Sequence, residues 1–255
     1  MNQFDGKVVI VTGASSGIGR ATAVGFAAQG AAVTLADVNA AGLEEVQQCI
    51  KASGGQALAV RTDVSDAAAC QVMVDKTVEA FGRLDVIFNN AGISGNRDKI
   101  ADMPLDEWHR VININLNGVF YGTKSAIPEM LKVGGGVIIN TSSVDGLVGM
   151  ATLSHYSAAK HGVNGLTKVT ALEYGRQNIR CVAIAPGYIK TPMTADGMSA
   201  EELAMFETIC PNGRGAAPEE VAELVLWLAS EKASYVSGSV HQVDAGLLAG
   251  FQTGA

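Results

Sequence analysis

A tyrosine and a lysine stand four residues apart near the middle of the chain. Tyr156 and Lys160 lie in a run, residues 154–160, that is typical of a helix, so both side chains leave the same helical face. A phenol, with a pKa of about 10, is a poor acid or base at neutral pH, but a nearby ammonium favours its phenolate. The pair is therefore predicted to move a proton to and from a substrate oxygen. The alternative is a surface pair in which the lysine stem covers the aromatic ring.

The amino-terminal part of the chain carries a pattern for binding a nucleotide. Residues 7–12 form a β-branched apolar run, a glycine-rich turn follows from Gly13 to Gly19, and residues 21–29 are typical of a helix. Glycines let the backbone approach a pyrophosphate, and the helix that begins there offers free N–H groups to the anion. The spacing G-x-x-x-G-x-G differs from the common dinucleotide fingerprint G-x-G-x-x-G.

A second strand, residues 32–36, ends in Asp37, about 20 residues beyond the glycine turn. A carboxylate at this point can accept hydrogen bonds from the ribose hydroxyls of NAD, and it would repel the 2′-phosphate of NADP. The neighbouring positions Ser16, Val38 and Asn39 supply no cation for such a phosphate. The sequence therefore predicts NAD as the cofactor. The alternative role of Asp37 is that of a helix cap.

Several segments resemble motifs of one family, the short-chain dehydrogenase/reductases in their single-domain form. The segments are residues 12–19, residues 89–92, residues 113–118 with Asn115, the trio Ser143, Tyr156 and Lys160, and residues 186–191. The resemblance covers nearly the whole chain, and the combination is far more specific than any one motif. It implies an NAD(H)-dependent enzyme that interconverts a secondary alcohol and a ketone, assembled as a homotetramer.

Each residue of the proposed chemistry has an expected role. Tyr156 is the general acid/base, and Ser143 hydrogen-bonds the substrate oxygen as charge develops on it. The resemblance implies that Lys160 also holds the nicotinamide ribose, and that Asn115 holds a water that links Lys160 to solvent. Ser142 is a rival to Ser143, and the spacing to Tyr156 favours Ser143.

The predicted cofactor contacts follow the ends of several strands. They are Gly13, Ser15, Ser16, Gly17, Ile18, Gly19, Asp37, Asp63, Val64, Asn90, Ala91, Gly92, Tyr156, Lys160, Pro186, Gly187, Ile189 and Thr191. The four cysteines are scattered, without a C-x-x-C pair or paired histidines, so we expect free thiols and no metal site.

Apolar strand patterns alternate with helical patterns along the chain. Strands are predicted at residues 7–12, 32–36, 56–60, 86–88, 137–140, 181–184 and 240–243, and helices at residues 21–29, 66–81, 107–131, 154–176 and 218–229. This alternation predicts a single doubly wound Rossmann-type domain over residues 1–255, with a seven-stranded parallel sheet and helices on both faces. Ligands bind such sheets beyond the carboxyl ends of the strands, where the motifs fall.

Residues 190–215 interrupt the alternation with an apolar, methionine-rich stretch and one short helical pattern at residues 199–208. The composition predicts a mobile lid over the site, and a plain surface excursion is the alternative. The predicted pocket walls are Ser94, Asp145, Leu147, Leu153, Tyr188, Met193, Met198 and Phe206. Because these walls are mostly apolar, we expect a neutral, small or cyclic secondary alcohol or its ketone.

Two residues near the predicted catalytic group have open roles. Asp145 either lines the substrate pocket or solvates a turn. His155 adjoins Tyr156, but neighbours in a helix point about 100° apart. We therefore reject His155 as the base and expect it at the edge of the pocket.

The composition is that of an ordinary globular protein, with 255 residues, 48% of them hydrophobic and 17% charged. A net charge of −7 without a basic cluster argues against nucleic acid or an anionic membrane as partner. No apolar run reaches the ~18 residues of a membrane span. The first residues lack a signal-peptide pattern, so we expect a cytoplasmic protein with a small-molecule substrate.

Two other classes of function remain open. Residues 13–17 also satisfy G-x-S-x-G, the nucleophile elbow of serine hydrolases, with Ser15 as nucleophile. Only twelve residues precede Gly13, whereas an elbow normally follows several strands. A non-catalytic nucleotide sensor on the same fold is the other alternative, but a sensor has no need for Ser143, Tyr156 and Lys160 together.

Overall fold

The computed structural model describes residues 2–195 and 199–250. Seven parallel strands form one sheet in the order β3-β2-β1-β4-β5-β6-β7. The strands are β1 (Val8–Thr12), β2 (Ala32–Asp37), β3 (Gln56–Arg61), β4 (Val86–Asn89), β5 (Gly136–Thr141), β6 (Ile179–Pro186) and β7 (Val240–Val243). The predicted seven-stranded parallel sheet of Rossmann type is confirmed.

Nine α-helices join these strands within the described residues. They are α1 (Gly17–Ala28), α2 (Ala40–Ala52), α3 (Ala67–Phe81), α4 (Leu105–Ile112), α5 (Gly118–Lys132), α6 (Ser154–Tyr174), α7 (Pro192–Ala195), α8 (Ala200–Ile209) and α9 (Pro218–Ala229). A π turn spans Asn113–Asn117, and 3₁₀ turns span Val144–Gly146, Gly175–Gln177 and Glu231–Ala233. Within this part of the chain, no helix is long and apolar enough to cross a membrane.

The two faces of the sheet bury separate apolar layers. In β1, the side chains of Val9 and Val11 belong to the layer that holds α1, α2 and α9. Ile10 points to the opposite layer, which holds α3 and α5. This alternation follows from the two-residue period of a strand, and burial on both sides explains why the strands are apolar throughout.

The winding of the sheet reverses beside β1. Because β1 pairs with β2 on one edge and with β4 on the other, the chain turns outward in both directions from this point. Loops that leave the carboxyl ends of β1 and β4 therefore diverge and open a crevice, which is where doubly wound sheets bind ligands.

The predicted helix at residues 107–131 is wrong in one respect. It is divided into α4 and α5 by the π turn, in which Asn115 is fully buried. The first helix begins at Gly17, earlier than the predicted residue 21, because Gly17 with φ 52° turns the chain directly into it. The predicted helix at residues 154–176 ends at Tyr174 and continues as a 3₁₀ turn.

Candidate active site

A cleft of about 530 Å³ opens at the carboxyl ends of the central strands. Most predicted cofactor residues line it, namely Gly13, Ser15, Ser16, Gly17, Ile18, Asp37, Asn90, Ala91, Gly92, Tyr156, Lys160, Pro186, Gly187, Ile189 and Thr191. Gly19, Asp63 and Val64 do not line it. The Asp63 carboxylate instead accepts hydrogen bonds from the backbone and side chain of Ser65, at 2.9 and 2.7 Å.

The glycine turn leaves no room for side chains. Gly13 has φ 66°, and a Cβ there would lie 2.9 Å from Asn90 Nδ2 and 3.0 Å from Ala91 Cα. A Cβ on Gly19 would collide with the carbonyl oxygen of Gly13. The neighbouring strand end is held by Thr12, whose hydroxyl accepts hydrogen bonds from the N–H groups of Asn90 and Ala91. The bare backbone of this turn suits close approach by an anionic ligand.

Asp37 is held in a fixed orientation at the edge of the cleft. One carboxylate oxygen accepts from the N–H and hydroxyl of Ser15 at 3.2 and 2.7 Å, and the other accepts from Asn39 N–H at 3.0 Å. Asp37 is not the cap of α2, because Asn39 accepts from Gly42 N–H in that role. Ser15 donates to a carboxylate rather than to a histidine, so the serine–histidine geometry of a hydrolase is not formed.

The predicted trio converges on the wall of the cleft beyond β5. Lys160 Nζ lies 5.5 Å from the centroid of the Tyr156 ring and donates to the Thr141 carbonyl at 2.7 Å. The hydroxyl of Ser143 accepts from Asp145 N–H at 3.1 Å. Ser142 is the weaker candidate, because its buried hydroxyl donates to the backbone carbonyl of Lys160.

The pKa values of the tyrosine and the lysine are both displaced. Burial, which outweighs a hydrogen bond from Ser143, raises the pKa of Tyr156 to about 12, and the Asp145 carboxylate adds to this rise. Burial also lowers the pKa of Lys160 to about 8, against the opposing charge of Asp145. Lys160 by itself therefore does not lower the pKa of Tyr156 as expected, because the effect of burial is larger. Further positive charge beside the phenol is required to favour the phenolate.

Asn115 lies behind this pair in the π turn. Its side-chain oxygen accepts from Ile93 N–H at 2.9 Å, and its side-chain nitrogen donates to the Ile93 carbonyl at 2.8 Å. A Cβ on Gly92 would lie 3.1 Å from Asn115 Oδ1 and 3.7 Å from Lys160 Nζ. Asn115 thus fixes the backbone after β4 beside the lysine. Its implied role in holding a water stays a prediction.

His155 is completely buried and does not line the cleft. Its Nδ1 accepts from Tyr156 N–H at 2.7 Å, which places the proton of the neutral ring on Nε2. Nε2 lies 4.0 Å from Glu107 Oε1. Burial lowers the pKa of His155, although the charge of Glu107 opposes this. The expectation that His155 edges the pocket is wrong, because its side chain is buried and accepts a hydrogen bond from Tyr156 N–H in the first turn of α6 instead.

Asp145 is 7% exposed, so it does not solvate a turn. Its Oδ1 has no hydrogen-bond partner among the described residues, and burial raises the pKa of the carboxyl. It stands behind Ser143 rather than in the lining of the cleft. Its charge reaches the phenol of Tyr156 all the same.

The predicted lid and pocket walls are partly assembled around the cleft. Ser94 and Met193 line it, Met198 lies outside the described residues, and the other predicted apolar walls, Leu147, Leu153, Tyr188 and Phe206, do not line it. Tyr188 stacks on Phe206 of α8 with ring centroids 5.5 Å apart. Lys190 pairs with Glu207 of α8 at 2.6 Å, which ties this helix to the end of β6.

Two functional candidates were missed by reasoning from the sequence. Arg110 and Asn96 both line the cleft, on the side beyond β4. Buried Glu107 holds both, by accepting two hydrogen bonds from Arg110 and one from Asn96 N–H. The only signal in the sequence is a Glu–Arg pair at i, i+3, which most often marks an exposed helix face.

The fold and the cleft define a dinucleotide-binding protein with a Tyr–Lys–Ser group. A family model described as enoyl-(acyl carrier protein) reductase matches residues 13–248. The chain belongs to the short-chain dehydrogenase/reductase family, whose members use NAD(H) or NADP(H).

Similar proteins are dehydrogenases and reductases of alcohols and ketones. The chain is 44% identical over 243 residues to the cyclohexanol dehydrogenase of Acinetobacter sp. strain SE19, with 95% of each chain covered. It is 42% identical to the levodione reductase of Leifsonia aquatica, with 98% of this chain and 97% of that protein covered. A crystal structure of levodione reductase superimposes with a TM-score of 0.94 at 41% identity, covering 97% of this chain and 100% of that one.

Proposed function

We propose that this protein is an NAD(H)-dependent oxidoreductase that interconverts a secondary alcohol and a ketone. The observation that carries the proposal is the meeting of Tyr156, Lys160, Ser143 and Asp37 along one cleft. The cyclohexanol dehydrogenase relative acts on a cyclic secondary alcohol, which supports the same substrate class here.

The residues of the cleft fit a nicotinamide nucleotide. Gly13 and Gly17 have positive φ angles and leave a cradle that side chains would fill, beside the free N–H groups at the start of α1. Asp37, the last residue of β2, offers its remaining lone pairs to the ribose hydroxyls. When bound, NAD(H) would supply the hydride donor or acceptor and, in its oxidised form, a positive charge.

Tyr156 handles the proton that accompanies the hydride. In the oxidative direction its phenolate takes the hydroxyl proton of the alcohol, and in the reductive direction its phenol donates to the carbonyl oxygen. Lowering its pKa from about 12 to ~7 requires about 7 kcal/mol of preferential phenolate stabilisation. The pKa of about 12 already includes the effect of Lys160, whose Nζ lies 5.5 Å from the ring centroid, so the positive nicotinamide ring and the exclusion of water from the closed site would supply this stabilisation.

Ser143 and Asn115 act on either side of the phenol. Ser143 donates to the substrate oxygen as negative charge develops, which aligns the carbinol carbon and lowers the barrier. Asn115 keeps the backbone at Ile93 in place beside Lys160, and we propose that a water held there connects Lys160 to solvent. Proton release then does not depend on opening the substrate side of the cleft.

Residues 190–215 serve as the substrate lid in this proposal. Pro192, Met193 and Thr194 of α7 already line the cleft, and α8 is joined to the end of β6 by the Lys190–Glu207 pair. Closure over the substrate would exclude water during hydride transfer. Homotetramer assembly and a cytoplasmic location remain predictions from the family and the sequence.

The choice of NAD over NADP rests on the oriented carboxylate of Asp37. Two like charges ~4 Å apart repel by about 4 kcal/mol at an effective dielectric constant of ~20. Screening that removes half of this leaves roughly thirtyfold in binding. Arg20, which follows the glycine turn directly, lies within α1 at an exposed position. We propose that it does not offset the repulsion.

A cofactor-coupled absorbance screen tests the proposal. The purified protein is assayed with cyclohexanol, other secondary alcohols and the matching ketones, each with NAD(H) and NADP(H). We expect turnover of secondary alcohols with NAD⁺ and a clear NAD(H) preference. Nucleotide binding without turnover of any alcohol or ketone would favour the sensor alternative. Equal use of NADP(H) would contradict the assignment of Asp37 to the ribose.

A further inference from the structure

Charge is distributed unevenly along the cleft. Of the described residues that line it, the charged ones are Asp37, Lys160 and Arg110. Asp37 follows β2, on the side of β1 assigned to the adenosine ribose, whereas Arg110 borders the loop that follows β4. The proposed hydride transfer uses Asp37 and Lys160 and leaves Arg110 without a role.

The guanidinium of Arg110 is fixed by one edge only. Nε donates to Glu107 Oε2 at 2.7 Å and Nη2 donates to Glu107 Oε1 at 2.8 Å. Nη1 donates no hydrogen bond within the described part of the chain. The arginine side chain is 50% exposed, while that of Glu107 is 9% exposed. A buried carboxylate therefore orients a cleft-lining arginine whose outer edge, Nη1 with the second N–H of Nη2, makes no hydrogen bond within the described part of the chain.

This anchorage is stiffer than that of a surface ion pair. Glu107 Oε1 also accepts from Asn96 N–H at 2.7 Å, so the acid is tied to the loop that lines the cleft beside Arg110. Gly95 packs so closely on this group that a Cβ would lie 3.0 Å from Glu107 Oε1. Positions of the guanidinium and of the loop are therefore coupled, and the outer edge needs little ordering to bind a ligand.

The free edge suits a planar group with two acceptor oxygens. Arginine presents paired, parallel N–H bonds that match a carboxylate in geometry, and such charge-assisted bonds are stronger than neutral ones. Glu107 neutralises part of the arginine charge, and Lys160 is the other cation among the described residues that line the cleft. An alcohol without an acceptor substituent would leave this edge unused.

We propose that Arg110 is a substrate-specificity residue that binds a carboxylate carried by the substrate at a distance from the reacting carbon. The preferred substrates are then hydroxy acids of the secondary-alcohol type and the matching oxo acids. This inference rests on the proposed dehydrogenase function. It assigns to the site a substituent that the hydride transfer itself does not require.

The test compares two substrates that differ only in charge. Oxidation of 4-hydroxycyclohexanecarboxylate and of its methyl ester is measured with NAD⁺, as kcat/KM, in the wild-type protein and in Arg110→Gln. A second variant, Glu107→Gln with Arg110→Gln, avoids leaving a buried carboxylate without its partner. Asp102→Asn, at an exposed position outside the cleft, is the control for an altered surface charge.

We expect the wild-type protein to prefer the carboxylate over the ester by roughly 10- to 100-fold, the range for a hydrogen bond to a charged group. Both Arg110 variants should lower kcat/KM for the carboxylate by that factor and leave the ester within about threefold. The KM for the carboxylate should rise with ionic strength in the wild type and not in the double variant.

Three results would overturn the assignment. They are a wild-type protein that does not prefer the carboxylate, an equal loss for both substrates in the double variant, and weaker binding of NADH without a substrate effect. Turnover of the ester in any of these cases leaves the dehydrogenase function standing. Failure of both substrates and of cyclohexanol with either nucleotide would instead remove the proposed function itself, and the role of Arg110 with it.

Discussion

The two sides of the cleft satisfy their polar groups very differently. On the side formed by β1 and β2, the carboxylate of Asp37 accepts three hydrogen bonds, from Ser15 and Asn39. On the side that faces the 3₁₀ turn and α6, Asp145 Oδ1 and His155 Nε2 are buried without hydrogen-bond partners among the described residues. The carboxylate on the first side is held in place by the protein itself, whereas the second side retains buried groups whose energies depend on protonation and on what binds.

In the proposed function, the first side binds the nucleotide and the second side binds the substrate. The nucleotide side is formed largely by the backbone of the glycine turn. This turn has no space for side chains at its glycine positions, so few substitutions are tolerated there. The substrate side is built from side chains on loops and short helices, which can change without disturbing the sheet. Variants that act on one side alone should therefore leave the other side unaffected.

The sharpest separation is expected for Tyr156→Phe. Turnover should fall by 10² to 10⁴, typical for loss of a general acid/base, while NADH still binds because the glycine turn and Asp37 are intact. Steady-state kinetics and fluorescence titration with NADH measure the two effects. Tyr235→Phe, at a fully exposed position, controls for loss of a phenol hydroxyl. Near-normal turnover in Tyr156→Phe would refute the proposed mechanism.

A smaller effect confined to the nucleotide side is expected for Asp37→Ala combined with Val38→Arg. Removing the carboxylate and adding a cation should erase or reverse an NAD preference of roughly thirtyfold, with the ratio of kcat between substrates unchanged. The measurement is kcat/KM for NAD⁺ and NADP⁺ side by side. Asp63→Ala is the matched control, because this acid follows β3 without lining the cleft. A switch produced by the control would place the ribose elsewhere.

Two substitutions that each remove a charge near Tyr156 should shift the pH midpoint of oxidation in opposite directions. Because the Asp145 carboxylate raises the phenol pKa, Asp145→Asn should shift the midpoint to lower pH, by up to about one unit. Lys160→Met removes an ammonium that favours the phenolate, so it should shift the midpoint to higher pH and weaken nucleotide binding. Profiles of kcat against pH test both. If neither midpoint moves, the titrating group is not Tyr156.

The smallest effect is expected at His155, and it concerns stability. His155→Ala leaves Tyr156 N–H without its acceptor and should lower the free energy of unfolding by about 1 kcal/mol, whereas His155→Asn keeps an acceptor and should lose less. Burial lowers the pKa of His155 below 6.5, so the folded state favours the neutral ring. Its contribution is present above pH 6.5 and is lost as the pH falls through the lowered pKa.

Urea unfolding at several pH values measures this contribution. As the pH falls below 6.5, the free energy of unfolding should decrease more steeply for the wild type than for His155→Asn. His161→Asn, at an exposed position of the same helix, is the control. Equal pH slopes for the wild type and His155→Asn would show that the histidine is not held neutral.

The strands were predictable from the sequence because parallel strands buried on both faces are continuous apolar runs. The predicted strand at residues 137–140 is observed as Gly136–Thr141, and that at 181–184 as Ile179–Pro186. Two helices, α2 and α7, have no counterpart among the predicted elements. The π turn was not predictable, because its extra residue leaves no mark in an apolar period and is stabilised by Asn115 through a distant loop.

The candidate site also has a part that was predictable from the sequence and a part that was not. Spacing alone brings Ser143, Tyr156 and Lys160 together, since each lies at a fixed distance from a strand end or on one helical face. The orientations of His155 and Arg110 depend on Glu107, which is distant in sequence from the first and looks like a surface partner of the second. Contacts of that kind arise only when α4 and α6 pack together.

The π turn at Asn113–Asn117 also provides a way in which a single mutation could inactivate such a site during evolution. A π turn holds one residue more than an α turn, so deletion of a single codon there would let α4 and α5 fuse into one regular helix. That deletion would rotate the two helices by about 100° against each other. Asn115 and Glu107 could then no longer both grip the loop at residues 93–96. A descendant inactivated in this way would still encode every catalytic side chain, and its gene would pass for that of a working enzyme.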